Sequence, residues 1–223
     1  MWWEHLWLPH NISTFGNQVD FLFILIFWIT VITWILVMVA MVAFMFLYRA
    51  KPGEKASYIE GNPRLEILWT TLTTVILIAL ALMSRSTWAE IKEAGPPGEV
   101  FYGVQAKQFN WEITYPGKDG KLGTADDVTV ENDLHVPVNK VVRIALTSKD
   151  VIHSFFVPVM RLKQDAVPGR EIQVWFEATE VGQYEIPCAE LCGFGHSGMK
   201  GTLYVMSQAD YDKWLKDTYA GNQ

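Results

Sequence analysis

The sequence predicts a membrane α-helical hairpin of two transmembrane helices, followed by an all-β sandwich and a short C-terminal helix. Two uncharged apolar runs near the N-terminus predict the hairpin, because each is long enough to cross a bilayer. Short segments of alternating apolar and polar residues, separated by turns rich in glycine and proline, predict the sandwich. A Ser-x-x-Asp capping pattern near the end of the chain predicts the last helix.

The first apolar run, Phe21 to Tyr48, contains no charged residue and exceeds the roughly 20 residues that a membrane-spanning helix needs. The second run, Ile67 to Ser84, is bounded by Glu66 and Arg85. Residues before the first run include no Lys or Arg, so the basic segment that begins a cleavable signal peptide is missing. We therefore expect a retained two-helix hairpin over residues 21–85.

The loop between the two runs, residues 49–64, carries four of the five basic residues that precede position 86. The positive-inside rule places such a loop in the cytoplasm. Residues 1–20 are then predicted to be an exported tail, and residues 86–223 an exported domain. The opposite orientation, with a cytoplasmic domain, is disfavoured because residues 1–20 carry no positive charge to retain them.

The predicted exported domain is long enough for one hydrophobic core. Val142, Ile144 and Leu146 alternate with polar or small neighbours and typify its strands, and the terminal helix is predicted to begin at Ser207 with Asp210 completing the cap. The whole net charge of −6 falls on this domain, because residues 1–85 contain equal numbers of acidic and basic side chains. An acidic surface argues against nucleic-acid binding; it either steers a basic partner or only keeps the domain soluble.

The segment from Cys188 to Met199 is the richest in chemistry, reading Cys-Ala-Glu-Leu-Cys-Gly-Phe-Gly-His-Ser-Gly-Met. Thiolate, thioether and imidazole together form the donor set that copper prefers. Cys192, His196 and Met199 would suit a mononuclear blue-copper site, whereas two thiolates can bridge two copper ions that each have one imidazole. His153 is available as the second imidazole.

The cysteine pair allows two further interpretations. In an oxidising compartment Cys188 and Cys192 could form a disulfide, and the same spacing occurs in copper chaperones of thioredoxin fold with a distal histidine. Neither accounts for His196 and Met199 at their offsets, nor for the Pro-Gly-Arg segment between His153 and the cysteines.

The copper segment resembles the binuclear CuA site of cytochrome c oxidase subunit II. The resemblance extends to His153-Ser-Phe-Phe-Val-Pro, to Leu162-Lys-Gln-Asp-Ala-Val-Pro-Gly-Arg170 and to Gly182-Gln-Tyr-Glu-Ile-Pro-Cys188, and it covers nearly the whole chain. It implies a cupredoxin-like Greek-key sandwich in a two-pass protein of the bacterial inner membrane, with the copper domain on the periplasmic or outer side. It also implies a set of copper ligands: His153, Cys188, the Glu190 carbonyl, Cys192, His196 and Met199.

The same resemblance implies partners and a role. The Glu190 carboxylate would bind a magnesium ion shared with catalytic subunit I, and subunit III would complete the oxidase. Electrons from a c-type cytochrome would pass through CuA to the haem of subunit I, where oxygen is reduced to water with coupled proton transport. The alternative is a membrane-anchored copper carrier or assembly factor, although a carrier needs only one membrane anchor.

Three further residues receive roles from this resemblance. The family usually has a Trp-x-Trp pair after a Gln, where the first Trp accepts electrons; here the segment reads Gln108-Phe109-Asn110-Trp111. Phe109 and Trp111 are the corresponding candidates, and the change to Phe leaves open a donor other than cytochrome c, such as another respiratory complex. Glu66 resembles the glutamate at the entrance of a proton channel. It could equally be a solvated residue that the helix dipole favours.

Residues 117–128 hold Asp119, Asp126 and Asp127. Such a loop can bind calcium, but the spacing does not match an EF-hand, and a solvated hairpin tip is the preferred interpretation. His135 has no second ligand nearby in the sequence and is predicted to be a surface or interfacial residue.

Overall fold

The computed structural model describes residues 8–92, 95–98 and 100–221, so residues 1–7 of the predicted tail lie outside it. The described chain divides into two compact units. One consists of residues 18–89, and the other combines the segment up to Asn17 with residues from Glu90 onwards.

Two helices of the first unit are long and apolar enough to cross a membrane: α1 (Gly16–Leu47) and α2 (Pro63–Lys92). Helix α1 starts five residues before the predicted run, because a helix can begin in polar sequence that a count of uncharged residues excludes. Helix α2 begins at a proline, which suits the first helical position, and Asn62 caps it by accepting hydrogen bonds from the Arg64 and Leu65 amides at 3.1 and 3.3 Å.

The second unit is a β-sandwich whose strands are β1 (Val100–Lys107), β2 (Asn110–Tyr115), β3 (Val128–Glu131), β4 (Asp133–Pro137), β5 (Val141–Ser148), β6 (His153–Val157), β7 (Leu162–Ala166), β8 (Ile172–Glu177), β9 (Gly182–Pro187) and β10 (Lys200–Met206). They form a five-stranded sheet in the order β3-β2-β1-β5-β8, a three-stranded sheet in the order β4-β10-β9, and a β6-β7 hairpin. The parallel pairs β1–β5 and β4–β10 join strands that are distant in sequence.

The predicted alternation is confirmed in the core. Val142, Ile144 and Leu146 of β5 are fully buried, as the period of two requires when one face of a sheet meets the opposite sheet. The last helix, α3 (Gln208–Gly221), follows the predicted cap: the Ser207 hydroxyl donates to the Asp210 carboxylate at 2.6 Å and accepts from the Asp210 amide at 3.2 Å.

The N-terminal segment is more than a tail. Residues 8–17 belong to the β-sandwich unit, where Ile12 and Phe15 are buried. The Ile12 amide donates to the Val159 carbonyl at 2.9 Å, and the Ile12 carbonyl accepts from the Thr179 amide at 2.8 Å. The segment therefore adds two core side chains and a short stretch of strand-like pairing to the sandwich.

His135 differs from its prediction as a surface or interfacial residue. Its ring is buried and stacked between Tyr204 and Trp214, with centroids 4.4 and 3.9 Å away. Burial lowers the pKa of His135, which favours the neutral ring in this stack. Sequence spacing could not show this position, because the two stacking partners come from β10 and α3.

The aspartate-rich loop connects β2 and β3. Its carboxylates accept hydrogen bonds from amides of the loop itself: Asp119 from Lys121 at 2.9 Å, Asp126 from Lys118 at 2.7 Å, and Asp127 from Gly123 at 2.6 Å. These bonds define the shape of a hairpin tip.

Candidate metal centre

Both cysteines lie at the same end of the sandwich as the start of β6. Cys188 follows β9 directly, and Cys192 lies four residues further along the loop that leads to β10. Their sulfur atoms are 3.9 Å apart, and both are free thiols that are only 7% and 3% exposed. Two soft donors therefore face each other in a place largely closed to water.

His153 contributes the first imidazole. It is the first residue of β6 and is fully buried, and its Nδ1 lies 3.2 Å from the Met199 sulfur and 3.9 Å from the Cys188 sulfur. The donor atoms of His153, Cys188 and Cys192 all lie within 4.8 Å of one another. The strand thus brings a ligand that is 35 residues away in sequence to the cysteine loop.

The remaining predicted ligands complete the cluster. The Nδ1 atom of His196, which begins a short 3₁₀ turn, is 3.5 Å from the Cys192 sulfur. The buried Met199 sulfur is 3.8 Å from the same atom. The Glu190 carbonyl oxygen is 3.3 Å from the Cys188 sulfur, while the Glu190 side chain is exposed. Each cysteine therefore has its own histidine.

The electrostatics of the pair favour a bound cation. Burial and the neighbouring Cys188 raise the pKa of Cys192 to about 11. Two thiols this close do not both become thiolates unless positive charge compensates them, and a metal ion supplies that charge directly. Soft sulfur donors with imidazoles fit copper, so the residues present match the chemistry of a copper centre.

Asp150 and Gln108, to which the sequence assigned no role, form hydrogen bonds to these ligands. Asp150 accepts a hydrogen bond from His153 Nε2 at 2.8 Å and another from the Gln108 amide at 2.7 Å. The Gln108 side chain in turn donates to the Cys192 carbonyl at 2.5 Å. Burial alone would raise the pKa of Asp150, but the hydrogen bonds from His153 and the nearby amides outweigh it, and the net pKa is lowered. The Asp-x-x-His spacing was the signal available in the sequence.

The two aromatic candidates differ in exposure. Phe109, in the β1–β2 turn, is 38% exposed, and its ring lies against the cysteine loop, where a Cβ added to Gly195 would be 2.5 Å away. Trp111 is fully buried in β2 and meets His153 edge to face, with ring centroids 6.3 Å apart. One ring thus reaches the surface and the other contacts a candidate ligand.

Glu66 belongs to the helical unit, whereas the proposed copper ligands belong to the sandwich unit. It occupies the first turn of α2 in the helical unit, its amide bonds to the Asn62 carbonyl at 3.0 Å, and its side chain is exposed.

Comparison with known proteins identifies the family. The family model for the transmembrane domain of cytochrome c oxidase subunit II matches residues 2–86, and the family model for the periplasmic domain of the same subunit matches residues 104–205. The alternative cytochrome c oxidase subunit 2 of Bradyrhizobium diazoefficiens is 32% identical, over 99% of this chain and 86% of the relative. This chain belongs to the cytochrome c oxidase subunit II family.

Further similarities agree with that assignment. Cytochrome c oxidase subunit 2 of Thermostichus vulcanus is 31% identical over 97% of this chain and 80% of its own. The crystal structure of the periplasmic domain of subunit II of Bradyrhizobium japonicum cytochrome oxidase has a TM-score of 0.51 and 30% identity, covering 56% of this chain and 97% of that one. The crystal structure of a mixed-disulfide intermediate between a thioredoxin-like protein and subunit II of cytochrome c oxidase has a TM-score of 0.50 and 27% identity. The match covers 59% of this chain and 99% of the other.

Membership confirms several predictions. The cytochrome c oxidase subunit II family carries a copper centre, its members are subunits of an oxidoreductase complex, and the chain is anchored in the membrane by its two apolar helices. The predicted sandwich, with its cupredoxin-like topology and terminal helix, is also confirmed.

Proposed function

We propose that this chain is the electron-input subunit of a haem-copper terminal oxidase. It accepts electrons at a binuclear CuA centre and passes them to the haem of subunit I, where oxygen is reduced to water and protons are transported. The observation that carries the proposal is the pair of buried thiols 3.9 Å apart, with His153 beside one sulfur and His196 beside the other.

The thiolates of Cys188 and Cys192 and the Nδ1 atoms of His153 and His196 would hold the two copper ions of the proposed centre. The Met199 sulfur and the Glu190 carbonyl oxygen would serve as weaker donors. The bound copper pair would supply electron-transfer chemistry. The chain's own contribution is to hold the donor atoms in place, because His153 begins a strand and the Cys188 amide bonds to the Met199 carbonyl at 3.0 Å.

The proposed donor is a c-type cytochrome or another respiratory complex. The acidic charge of the sandwich favours a basic partner. Phe109 offers an aromatic ring that is exposed on one side and lies against the copper loop on the other, so it is our candidate for the point where electrons arrive. Exposed Leu191 and Phe194 give that loop an apolar surface to bury in a complex.

The remaining proposed partners lie within the oxidase. Glu190 has an exposed side chain next to a carbonyl that faces the copper cluster, so its carboxylate is proposed to bind the magnesium ion shared with subunit I. Subunits I and III are the proposed neighbours of the helices. The copper domain is proposed to lie on the periplasmic or outer side of a bacterial inner membrane.

Copper content and spectroscopy test the central proposal. The purified chain, loaded with copper, should hold two coppers and give a seven-line hyperfine pattern in its electron paramagnetic resonance spectrum, because one electron is shared between two copper nuclei. One copper per chain with both thiols intact, or a four-line pattern, would contradict a binuclear centre. A carrier or assembly factor would instead release its copper to an acceptor apoprotein.

The thioredoxin-like complex of a related subunit II suggests how the site is prepared. We infer that a disulfide between Cys188 and Cys192 of this chain is reduced by thiol–disulfide exchange before copper binds. A thioredoxin-like dithiol attacks the disulfide, forms a mixed disulfide with one cysteine and is itself oxidised to a disulfide as both thiols of this chain are released. The step is needed because only free thiols can become the two thiolate ligands. Oxidised chain should bind no copper until such a reductant, or dithiothreitol, is added. Full copper uptake by the oxidised chain would contradict this step.

Glu66 is proposed to help deliver protons from the cytoplasm to the catalytic subunit. A carboxylate in the first turn of a membrane helix supports this role, although the helix dipole alone would also favour it there. In an assembled oxidase, Glu66→Ala should slow steady-state oxygen reduction while copper reduction and haem content stay normal. Glu60→Ala, in the preceding loop, is the control, and unchanged turnover in Glu66→Ala would leave Glu66 as an ordinary helix start.

A further inference from the structure

The two proposed histidine ligands have different surroundings. His153 is fully buried, and Asp150 holds the ring nitrogen that faces away from the sulfur atoms. His196 is half-buried, and among the described residues its only side-chain hydrogen-bond partner is the Cys192 sulfur, through Nδ1. Only one of the two imidazoles thus has a carboxylate of the described chain behind it.

Asp150 is itself firmly held. Its Oδ1 accepts from His153 Nε2 at 2.8 Å and from the Val151 amide at 2.7 Å, while its Oδ2 accepts from the Gln108 amide at 2.7 Å. A carboxylate that accepts three hydrogen bonds has little freedom to rotate. It therefore fixes the plane of the His153 ring and keeps the proton on Nε2, which leaves the Nδ1 lone pair directed towards the sulfur cluster.

Gln108 connects this carboxylate to the second thiol. Its amide bonds to Asp150 and its side chain donates to the Cys192 carbonyl, so a continuous set of bonds runs from His153 through Asp150 and Gln108 to Cys192. The residue after Cys192 makes room for it: Gly193 has φ +134°, and a Cβ there would lie 2.8 Å from Gln108 Nε2.

We propose that Asp150 is a positioning residue of the copper centre, which orients His153, strengthens it as a donor and lowers the reduction potential of the metal pair. The inference rests on the proposed binuclear site. A hydrogen-bonded carboxylate makes an imidazole a stronger donor, and its negative charge stabilises the oxidised, more positive state of the centre. Removing that charge should therefore raise the reduction potential.

Asp150→Asn is the informative variant, because it keeps the shape and an acceptor for His153 while it removes the charge. Copper(I) affinity of the full-length chain in detergent is measured by competition with a chromophoric chelator, and the reduction potential by spectroelectrochemistry. We expect the affinity to fall about 10- to 100-fold and the potential to rise. Asp150→Glu, which keeps the charge, should lie between Asp150→Asn and the unchanged chain, and it also serves if the asparagine variant does not fold.

Asp165→Asn is the matched control. It removes the same charge from a carboxylate that accepts a hydrogen bond from the hydroxyl of Ser154, the residue after His153, at 2.7 Å. Within the described part of the chain, Asp165 has no hydrogen bond to a proposed ligand. Its effect on affinity and potential should be clearly smaller. A potential that moves equally in Asp150→Asn and Asp165→Asn, or in neither, overturns the inference; so does a change confined to thermal stability, which would mean that Asp150 only secures the turn before β6.

These outcomes are separable from failure of the proposed function. If the unchanged chain binds one copper or lacks the seven-line pattern, the binuclear centre is wrong. If it binds two coppers normally and Asp150→Asn behaves like Asp165→Asn, only the positioning role is wrong.

Discussion

The two histidine sides of the proposed copper centre are built differently. His153 begins a strand, meets the buried Trp111 ring edge to face, and is hydrogen-bonded to Asp150. His196 lies in a short turn of a glycine-rich loop and is partly open to solvent. The sheet therefore determines one half of the centre, whereas the other half depends on a loop whose order a bound metal would increase.

Among the substitutions that test the difference between the two sides, loss of one cysteine should have the largest effect on copper binding. Cys188→Ser leaves the Cys192–His196 side with one thiolate and one imidazole, so copper should fall from two ions to at most one and the seven-line pattern should disappear. Metal analysis and electron paramagnetic resonance measure both. The converse variant, Cys192→Ser, keeps the Cys188 thiolate and the His153 imidazole. A single copper ion held by this variant should be bound more tightly than a single copper ion held by Cys188→Ser. The reverse order would contradict a stronger His153 side.

The next largest difference is expected in the stability of the copper-free chain, which should depend more on His153 than on His196. His153→Ala opens a cavity in the core and leaves Asp150 without its partner, so it should destabilise the copper-free chain by about 2–4 kcal/mol. His196→Ala, on the partly exposed loop, should cost less than about 1 kcal/mol. Denaturant unfolding of the sandwich, followed by tryptophan fluorescence, gives both values. Equal losses would mean that the loop is as well ordered as the strand.

Electron arrival should depend on the loop side. Phe109→Ala should slow the reduction of copper by the donor several-fold. In Gly195→Ala the added Cβ would meet the Phe109 ring and displace it, which should lower the free energy of unfolding by about 1–3 kcal/mol. Trp111→Phe tests the buried route. Stopped-flow measurement of the rate at which the donor reduces the copper-loaded chain decides between the Phe109 route and the Trp111 route. If Phe109→Ala and Trp111→Phe both leave the rate unchanged in a folded protein, electrons arrive elsewhere.

Met199→Leu should have the smallest effect. The substitution nearly conserves side-chain volume at a buried position, so it should lower the free energy of unfolding by less than about 1.5 kcal/mol. A thioether is a weak axial ligand, and the thiolates and imidazoles should retain most of the copper while the reduction potential shifts. Metal analysis and spectroelectrochemistry test this. Complete loss of copper would show that Met199 holds the metal and does more than tune it.

The sequence was most informative where uncommon side chains carry the chemistry. Cysteine occurs only twice in the chain, so Cys188 and Cys192 with His196 and Met199 at fixed offsets were recognisable without a structure. The spans were predictable for a similar reason, since a long uncharged apolar run is typical of a membrane helix and uncommon elsewhere. The ends of the helices were less predictable, because the start of α2 is set by the Asn62 side-chain cap and by Pro63 at the first helical position, and hydropathy reports neither.

The residues that support the ligands could not be predicted in the same way. Asp150 is an ordinary acidic residue in a turn until the fold brings Gln108, 42 residues earlier, to its other oxygen. Ile12 and Phe15 show no period of two or 3.6, since a short segment that adds to an existing sandwich needs only two apolar contacts. In each case the informative quantity is a long-range contact, which composition and spacing do not contain.

The packing of the N-terminal segment has a consequence for anyone who excises the copper domain. A soluble fragment starting at residue 90 would lack Ile12 and Phe15, whose burial stabilises the sandwich by roughly 3–6 kcal/mol together. It would also leave the Val159 carbonyl and the Thr179 amide without their partners from Ile12. The sandwich is thus completed by residues synthesised before the first membrane helix, and a faithful fragment must carry residues 8–17 joined to it by a linker that replaces the hairpin.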